Sequence, residues 1–362
     1  MTTYLQLHLL VSYPPSNLNR DDIGRPKTAI FGGSERLRIS SQALKRAWRT
    51  SHFFDELDEQ GHMGQRTRRI GPELYEEMIE AGIEEEDALA WSKALAGALA
   101  RTRKNNKEKP TQQTETEQLV HISGPEREAL SQIVQQLAAG KELPKKKELT
   151  DKILTSDHKA CDVAMFGRML ADNPSYNTEA AVQVAHAIST HRVIVEGDYF
   201  SAVDDLNQGG DTGAGHIGET GFGAGIFYLY LNINQDLLLS NLSDDADLAR
   251  ETLAALVKSC AQVGPSGKAA SFGSRCYAHY ICAERGTQSP RQLSLAFLDG
   301  KTVDEGDAPL ETATRKLEAM RQNMDRAYGA WADEGNHYTL DVVGQAGSMQ
   351  GLVEFVQGGI DA

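Results

Sequence analysis

Strand patterns stand near both ends of the chain, and a long polar helical stretch lies between them. The segment LQLHLLV at 5–11 alternates in hydrophobicity, as a β-strand does. The segments IFYLYLNI at 226–233 and HYTLDVV at 337–343 are rich in aromatic and branched residues and also predict strands. Residues 52–140 are mainly helical and polar in pattern. This mixed order predicts an α+β core with helical insertions rather than a regular βαβ array.

Shorter local patterns predict the remaining elements. Helices are expected at 40–51, 126–139, 178–190, 244–263, 310–332 and 349–357, and further strands at 37–39, 276–283 and 292–297. Thr178 and Ser243 are suitable N-cap residues for two of these helices. The polar segment 101–118 has no packing signal and predicts an exposed loop, and 207–225 is rich in glycine.

Charge is unevenly distributed along the chain. The 362 residues are 40% hydrophobic, which is ample for a sizeable core, and carry a net charge of −14. A nucleic-acid-binding protein usually has a basic surface region, and a negative net charge for the whole chain does not exclude such a region. Residues 1–50 hold eight basic and three acidic residues, whereas 301–362 hold five basic and eleven acidic ones. This segregation predicts a local basic patch near the start of the chain, with chance clustering as the alternative.

The cysteines and the apolar runs limit the classes of protein that fit. Cys161, Cys260, Cys276 and Cys282 form no CxxC pair and have no neighbouring histidine cluster, so no zinc site is expected. Reduced structural thiols and a cytoplasmic location fit them best. The first apolar run, at 5–11, is too short for a signal peptide or a membrane span, and we expect no membrane association.

The helix predicted at 40–51 has two chemically distinct sides. On a helical wheel, one side carries Gln42, Lys45, Arg46 and Arg49, and the other carries Ala43, Leu44, Ala47 and Trp48. The first turn, at Ser40 and Ser41, presents unpaired N–H groups that favour a phosphate. Asn19, Arg20 and Lys27 precede the helix and extend the patch. The pattern indicates sequence-independent contact with a nucleic-acid backbone, and a solvated basic face is the alternative.

A family resemblance rests on long motifs in a fixed order. They are LNRDD at 18–22, AIFGG at 29–33, RLRISSQALKRAWR at 36–49, AMFGRM at 164–169, AHAISTH at 185–191, DYFSAVDDL at 198–206 and GIFYLYLNIN at 225–234. Together they closely resemble the backbone subunit of type I-E CRISPR Cascade complexes, the CasC family. The resemblance covers residues 1 to about 265, and the C-terminal third matches only loosely.

The resemblance implies an α+β fold shaped like a right hand. Its palm carries an RRM-like (ferredoxin-like) sheet, its fingers are a helical insertion and its thumb is a β-hairpin. The implied boundaries are 1–55, 181–194 and 224–362 for the palm, 56–180 for the fingers and 195–223 for the thumb.

The resemblance also implies a non-catalytic role without a cofactor. Several copies would form a helical filament along the guide RNA and present its bases to target DNA. The implied partners are guide RNA, target DNA, further copies of the chain, and the large, small, 5′-handle-binding and RNA-processing subunits of Cascade.

Individual positions take their expected roles from the same resemblance. The residues implied to grip the RNA backbone are Asn19, Arg20, Lys27, Ser40, Gln42, Lys45 and Arg49, and the helical wheel adds Arg46. Phe200 and Met165 would lie beside a nucleotide that the thumb displaces, although by pattern alone each is a typical core residue. The lysines implied to face target DNA are Lys141, Lys145, Lys146 and Lys147. Gln6 and His8, not aromatic residues, occupy alternate positions of the first strand, which favours backbone gripping over base stacking.

Two motifs suggest other activities. GAGHIG at 213–218 fits GxGxxG, but a loop precedes it and a strand pattern follows, so a dinucleotide site is not expected. The pairs Asp21–Asp22 and Asp204–Asp205 suggest a second hypothesis, a metal-dependent endoribonuclease of the same CRISPR superfamily. No base or lysine partner is placed beside them, so capping and ion pairing explain these carboxylates better, and we predict neither a catalytic residue nor a metal site.

Overall fold

The computed structural model of the protein describes residues 2–104, 109–202, 216–301 and 308–360. Its strands are β1 (Tyr4–Ser16), β2 (Thr28–Phe31), β3 (Ser34–Ile39), β4 (Gln65–Thr67), β5 (Val120–Ile122), β6 (Val182–Val184), β7 (Ala187–Ser189), β8 (Glu196–Ala202), β9 (His216–Asn234), β10 (Ala278–Gly286) and β11 (His337–Asp341). Its helices are α1 (Ser41–Arg49), α2 (Asp55–Glu59), α3 (Ile70–Glu80), α4 (Glu85–Leu99), α5 (Gly124–Ala138), α6 (Lys146–Ile153), α7 (Cys161–Phe166), α8 (Gln235–Asn241), α9 (Ala246–Gln262), α10 (Ala269–Phe272), α11 (Pro309–Tyr328) and α12 (Met349–Gln357).

The chain divides into two compact units. The first, called the sheet unit here, comprises residues 1–53, 183–235 and 253–361. The second, called the helical unit, comprises 54–182 and 236–252. The segment 56–180, which the family resemblance implies to be a helical insertion, lies within the helical unit.

The main sheet has β1 near its centre. The strand order is β11-β10-β1-β9-β7-β3-β2, and β6 and β8 also pair with β9. β1 runs antiparallel to both neighbours, with Leu7 opposite Leu231 of β9 and Ala283 of β10. Strands from distant parts of the chain therefore meet in one antiparallel sheet that is combined with helices, which confirms the α+β prediction at this level.

One face of the sheet is closed by α11. The register places His8 opposite Tyr230 and Cys282, so these side chains share a face. Tyr228, Tyr230 and Tyr280 cluster there with Ala313 and Leu317 of α11. Gln6 and His8 are fully buried on the same face. The tyrosines of this face are therefore covered by protein and have no surface on which a base could stack.

The covered face also holds charged groups that neutralise one another. Glu284 is 1% exposed; Oε2 of its carboxylate accepts from Nε2 of Gln6 at 3.2 Å and Oε1 from Nη2 of Arg291 at 3.3 Å. Arg291 also donates to Asp325 at 2.6 Å, and Arg321 lies 3.7 Å from Glu284. Burial by itself raises the pKa of Glu284, but His8 and the two arginines outweigh it and hold the pKa below its usual value. The buried charge network consists of Gln6, His8, Glu284, Arg291, Arg321 and Asp325.

The helical unit has its own apolar core. Residues from α3, α4, α5 and α6 form it, including Leu74, Leu95 and Leu130. A buried ion pair supports the unit, because Arg168 donates to both carboxylate oxygens of Glu126 at 2.7 and 2.8 Å. The helical pattern of this part of the sequence therefore reflects amphipathic helices around one core.

Two predicted elements are wrong in type. The segment 178–190 forms the short strands β6 and β7 rather than a helix, because Ile188 pairs with Arg38 of β3 and Tyr228 of β9. The segment 292–297 is not a strand but contains a 3-10 helix at Ser294–Phe297, which buries Phe297. In both cases pairing or packing with distant residues decides the conformation, and local patterns do not encode it.

Two smaller expectations also change. α9 begins at Ala246, where the side chain of Asp245 accepts from the backbone N–H of Leu248 at 3.1 Å, so Asp245 and not Ser243 caps it. The segment 101–118 is not a loop without packing in its described parts. Thr114 and Thr116 are fully buried, and a Cβ atom on Gly71 of α3 would lie 2.0 Å from the carbonyl oxygen of Thr114.

Candidate nucleic-acid interface

The amphipathic helix α1 is present where the sequence predicts it. The hydroxyl of Ser40 accepts from the backbone N–H of Ala43 at 3.3 Å and caps the helix. Leu44 and Trp48 are buried, and the indole N–H of Trp48 donates to the carbonyl of Val263 at 3.1 Å. The apolar side therefore anchors the helix within the sheet unit. On the opposite side, Gln42 and Arg46 are exposed and Lys45 and Arg49 are partly exposed.

Hydrogen bonds bring three of the predicted contact residues together. The side-chain oxygen of Asn19 accepts from the backbone N–H of Ser40 at 2.9 Å. The backbone carbonyl of Asn19 accepts from Lys27 at 2.8 Å, and that of Lys27 accepts from Arg38 at 2.8 Å. The loop, β3 and the start of α1 thus meet at Asn19, although the sequence places them up to 21 positions apart.

The loop 18–26 is held by its own turn and by the strand opposite. The carboxylate of Asp21 accepts from the backbone N–H groups of Ile23 at 3.1 Å and Arg25 at 2.8 Å. The amide of Asn17 donates to the carbonyls of Gly24 at 3.0 Å and Gly221 at 2.9 Å. Asp21 therefore shapes the turn that carries Arg20 and Arg25, both exposed.

A groove joins this loop to α1. It has a volume of 510 Å³, and its lining includes Arg20, Arg46, Asp21 and Asp22 together with Ser266 and Gly267. A Cβ atom on Gly267 would lie 2.3 Å from the carbonyl of Leu18, so only glycine allows this close approach. The structure thereby places Arg20 and Arg46 along one groove.

The sequence-based set omitted two side chains that lie beside Lys27. Nη1 of Arg38 lies 2.8 Å from Nδ1 of His186, and the backbone of Arg38 is bonded to that of Lys27. His186 is exposed and immediately precedes β7. Partial desolvation of its ring, followed by the charges of Arg38 and Lys27, lowers the pKa of His186. Only the strand pairing of β3 and β7 reveals this contact, since its partners are 148 positions apart. We call Arg20, Lys27, Arg38, Lys45, Arg46 and Arg49 the basic surface.

Not every basic residue near the N-terminus belongs to this surface. Arg36 is fully buried and donates to the carbonyls of Ser189 at 3.1 Å and Phe297 at 2.8 Å. It contributes to the basic composition of residues 1–50 but holds the sheet unit together. Lys45 is partly buried, and this burial lowers its pKa.

β8 and the first part of β9 pair as antiparallel strands. Phe200 lies opposite Gly218, and a Cβ atom on Gly218 would lie only 2.4 Å from the ring of Phe200. The ring thus lies across a strand position without a side chain, and 43% of Phe200 stays exposed. Tyr199 is 68% exposed, and neighbouring strand residues point to opposite faces. This pair of strands therefore presents an aromatic side chain on each face. Residues 203–215, which include Asp204 and Asp205, lie outside the described residues.

The remaining predicted residues belong to the helical unit. Met165 lies in α7 and is fully buried, so it differs from Phe200 in having no exposed side-chain surface. The four lysines are exposed: Lys141, Lys145, Lys146 and Lys147. Lys145 is the N-cap residue of α6, and Lys146 and Lys147 lie in its first turn. Their expected contact with DNA stays a prediction.

The described residues also bear on the glycine motif, on metal binding and on membrane-spanning helices. The described part of GAGHIG, residues 216–218, opens β9 and not a helix, as the sequence pattern indicated. Across the described ranges, no group of three or more histidine, cysteine or acidic side chains is arranged to hold a metal ion. Within the same ranges, none of the helices combines the length and the apolar composition that crossing a bilayer requires.

Comparison with known proteins identifies the family. The family model described as CT1975-like protein matches residues 5–350. A chain of a solved "CRISPR RNA-guided surveillance complex, pre-nicking" is similar, with a TM-score of 0.85 and 28% identity over 99% of this chain and 100% of that chain. A chain of another "CRISPR RNA-guided surveillance complex" shares the fold, with a TM-score of 0.73 and 24% identity over 98% of this chain and 99% of that chain. No match was found among curated proteins. Since the family model spans nearly the whole sequence, the chain belongs to the CT1975-like protein family.

Proposed function

We propose that the chain is a non-catalytic, guide-RNA-binding backbone subunit of a type I-E CRISPR surveillance complex. The observation that carries this proposal is the basic surface, which the chain builds from a loop, a strand and a helix despite its net charge of −14. Similarity to a chain of a CRISPR RNA-guided surveillance complex supports the identity of the ligand.

The basic surface suits the phosphate backbone of RNA better than its bases. Arginine and lysine make charge-assisted contacts with phosphate that do not depend on sequence. The face of the sheet that carries Tyr228, Tyr230 and Tyr280 is covered by α11, so base stacking on these rings is not available. A subunit that grips only the backbone accepts any guide and leaves its bases available to pair with DNA.

In this proposal the sheet unit contains an RRM-like palm, and the helical unit provides the fingers. β8 and the first part of β9 belong to the thumb. Phe200 has an exposed ring that rests on Gly218, which suits it to stack against a displaced nucleobase. Base–aromatic stacking contributes about 1–3 kcal/mol per base, comparable to the cost of unstacking a nucleotide. Met165, being buried, would contribute only if its surroundings opened.

Several copies would stack along the guide, with target DNA passing the lysines of the fingers. Adjacent copies would meet partly through opposite charge, since 1–50 is rich in basic residues and 301–362 in acidic ones. Assembly without RNA should therefore be weak and sensitive to salt. A stable RNA-free oligomer at high salt would contradict this part of the proposal.

The direct test is co-expression with a CRISPR repeat–spacer transcript and the neighbouring genes, followed by electron microscopy. The expected result is a helical assembly of several copies that retains the transcript. Target pairing should tolerate mismatches at regular intervals, where a thumb crosses, and Phe200→Ala should weaken this periodic tolerance. Uniform sensitivity to mismatches in the wild type would show the thumb assignment to be wrong.

The same preparation separates the scaffold from a nuclease. Labelled RNA incubated with the protein and magnesium should remain intact. Cleavage that is lost in Asp21→Asn would instead establish the endoribonuclease. The structure favours the first outcome, because the Asp21 carboxylate already accepts two backbone hydrogen bonds within its turn.

A further inference from the structure

Arg38 has an unusual partner for an arginine in this protein. Several other arginines pair with carboxylates, as in Arg127 with Glu77 at 2.9 Å and Arg168 with Glu126 at 2.7 Å, and the buried Arg36 donates to backbone carbonyls. Arg38 instead donates from Nη1 to the histidine ring of His186 at 2.8 Å and from Nε to the carbonyl of Thr28 at 3.4 Å. Among the described residues, no acidic side chain forms an ion pair with Arg38. Its positive charge is therefore not neutralised within this part of the chain.

The hydrogen bond from Arg38 also fixes the state of His186. An arginine side chain has only donors, so Nδ1 of His186 must accept. A neutral imidazole that accepts at one nitrogen carries its proton on the other, which here is Nε2. His186 is exposed, so this N–H is available to a ligand. Arg38 thereby turns His186 into an uncharged hydrogen-bond donor.

Lys27 completes the arrangement. Its backbone carbonyl accepts from the N–H of Arg38 at 2.8 Å, and its charge acts on His186. The two cations and the one neutral donor come from three segments: the end of the loop, β3, and the residue before β7. The cations have no described acidic partner, and a compact oxyanion would satisfy both cations and the N–H together.

We propose that Lys27, Arg38 and His186 hold one phosphodiester group of the bound RNA, with Arg38 orienting His186 so that Nε2–H donates to a phosphate oxygen. This inference rests on the proposed function and assigns Arg38 and His186 to the interface in addition to the sequence-based set. Lys27 and Arg38 contribute positive charge, whereas His186 contributes an oriented hydrogen bond from a neutral ring.

The different charges of the three groups make a sharp test possible. Affinity for a single-stranded oligoribonucleotide of mixed sequence is measured at pH 8 over a range of salt concentrations. Arg38→Gln should weaken binding roughly tenfold and reduce the slope of log K against log salt by about 0.7, the value for one lost phosphate contact. His186→Ala should weaken binding roughly fivefold, as expected for one hydrogen bond, and leave the slope unchanged.

A double variant tests whether Arg38 acts through His186. In the Arg38→Gln background, His186→Ala should weaken binding much less than fivefold, because the ring is no longer oriented. His186→Gln should recover part of the affinity, since its amide also donates. Arg315→Gln removes an exposed charge from α11 of the same unit and should leave affinity and slope unchanged.

The outcomes are distinguishable. If the wild type binds RNA and the Arg38 and His186 variants bind like Arg315→Gln, the inference is overturned and the proposed function stands. A fall of about 0.7 in the slope for His186→Ala would overturn the neutral-donor assignment. If the wild type binds no RNA, the proposed function and the inference fail together. Thermal unfolding of each variant excludes loss of the fold as the cause.

Discussion

The sheet unit contains two groups of charged residues that differ in how their charge is balanced. In the buried charge network, Arg291 and Arg321 surround Glu284 beneath α11. On the basic surface, Arg38 faces His186, and Arg20 and Arg46 line a groove. The network is complete within the chain, because each cation there has a carboxylate. On the basic surface, Arg38 has no acidic partner among the described residues, so an anion from outside the chain would balance its charge. Internal balance indicates a structural role for the network, and its absence at Arg38, which is not fully buried, indicates a ligand.

The largest effect should follow from removing the central carboxylate of the network. Glu284→Gln removes the most buried anion that Arg291 and Arg321 share, and leaves both arginines with Asp325 as their remaining common carboxylate. Breaking a buried ion pair on one side costs roughly 3–5 kcal/mol. The free energy of unfolding, measured by chemical denaturation, should fall by an amount near the lower end of this range, because Asp325 still pairs with both arginines, while RNA affinity of the folded protein stays unchanged. A stable variant that has lost RNA binding would reverse the roles assigned to the two regions.

The opposite behaviour is expected when Lys45 and Arg49 are both replaced by alanine. Each lost charge-assisted contact should cost roughly 1.5 kcal/mol of RNA binding for all sequences alike. The slope of log K against log salt should fall by about 0.7 per contact. Stability should change little, since both side chains are partly exposed. Unchanged affinity and slope would exclude α1 as the main grip.

Acid should weaken the network through His8. Burial lowers the pKa of His8 below 6.5, although the hydrogen bond and charge of Glu284 act in the other direction. The unfolded chain therefore binds a proton near pH 6.5 that the folded chain does not. This contribution to stability is present above pH 6.5 and is lost as the pH falls toward the folded pKa, at about 1.4 kcal/mol per pH unit. Denaturation of the wild type and of His8→Gln at pH 8 and pH 5.5 isolates it, because the lowered pKa values of His158 and His279 act in both proteins. An equal loss of stability in the two proteins would contradict the prediction.

The smallest effect concerns the lysines at the start of α6. Lys146 and Lys147 oppose the helix dipole, so replacing each by glutamine should stabilise the helical unit by roughly 0.3–1 kcal/mol. The same changes should weaken binding of target duplex and reduce its salt slope by about 0.9 each. Lys152→Gln is the matched control, because Lys152 lies in the last turn and pairs with Glu148 at 2.8 Å. If both sites behave alike, the first-turn lysines have no special role.

Local patterns predicted some parts of the molecule well. The amphipathic helix at 40–51 exists as α1, with Ser40 as its cap, because a helix depends on neighbours three or four positions apart. β1 and the apolar part of β9 were found for the same reason, since alternation and branched residues are local signals. The helix predicted at 349–357 has the observed bounds of α12.

Features that depend on distant partners were not predicted. The local pattern of residues 178–190 predicts a helix, whereas their strand partners lie far away in the sequence, in β3 and β9. The same pairing creates the contact between Arg38 and His186, which no spacing in the sequence indicates. Arg36 and Arg38 are two positions apart in the sequence, yet one is buried and the other faces His186. Only the packed sheet distinguishes a structural arginine from one that is available to a ligand.

The two hydrogen bonds of Asn17 have a consequence for the order in which the molecule opens. Its side-chain amide donates hydrogen bonds to the carbonyls of Gly24 in the loop 18–26 and of Gly221 in β9, and the side chain itself is buried. Release of the Asn17 side chain should therefore loosen the loop and the part of β9 around Gly221 together, and hydrogen exchange at both should rise in the same step. RNA that holds the loop in place would then also slow hydrogen exchange in this part of β9. Binding of the RNA backbone would thus also make the strand beneath Phe200 more rigid.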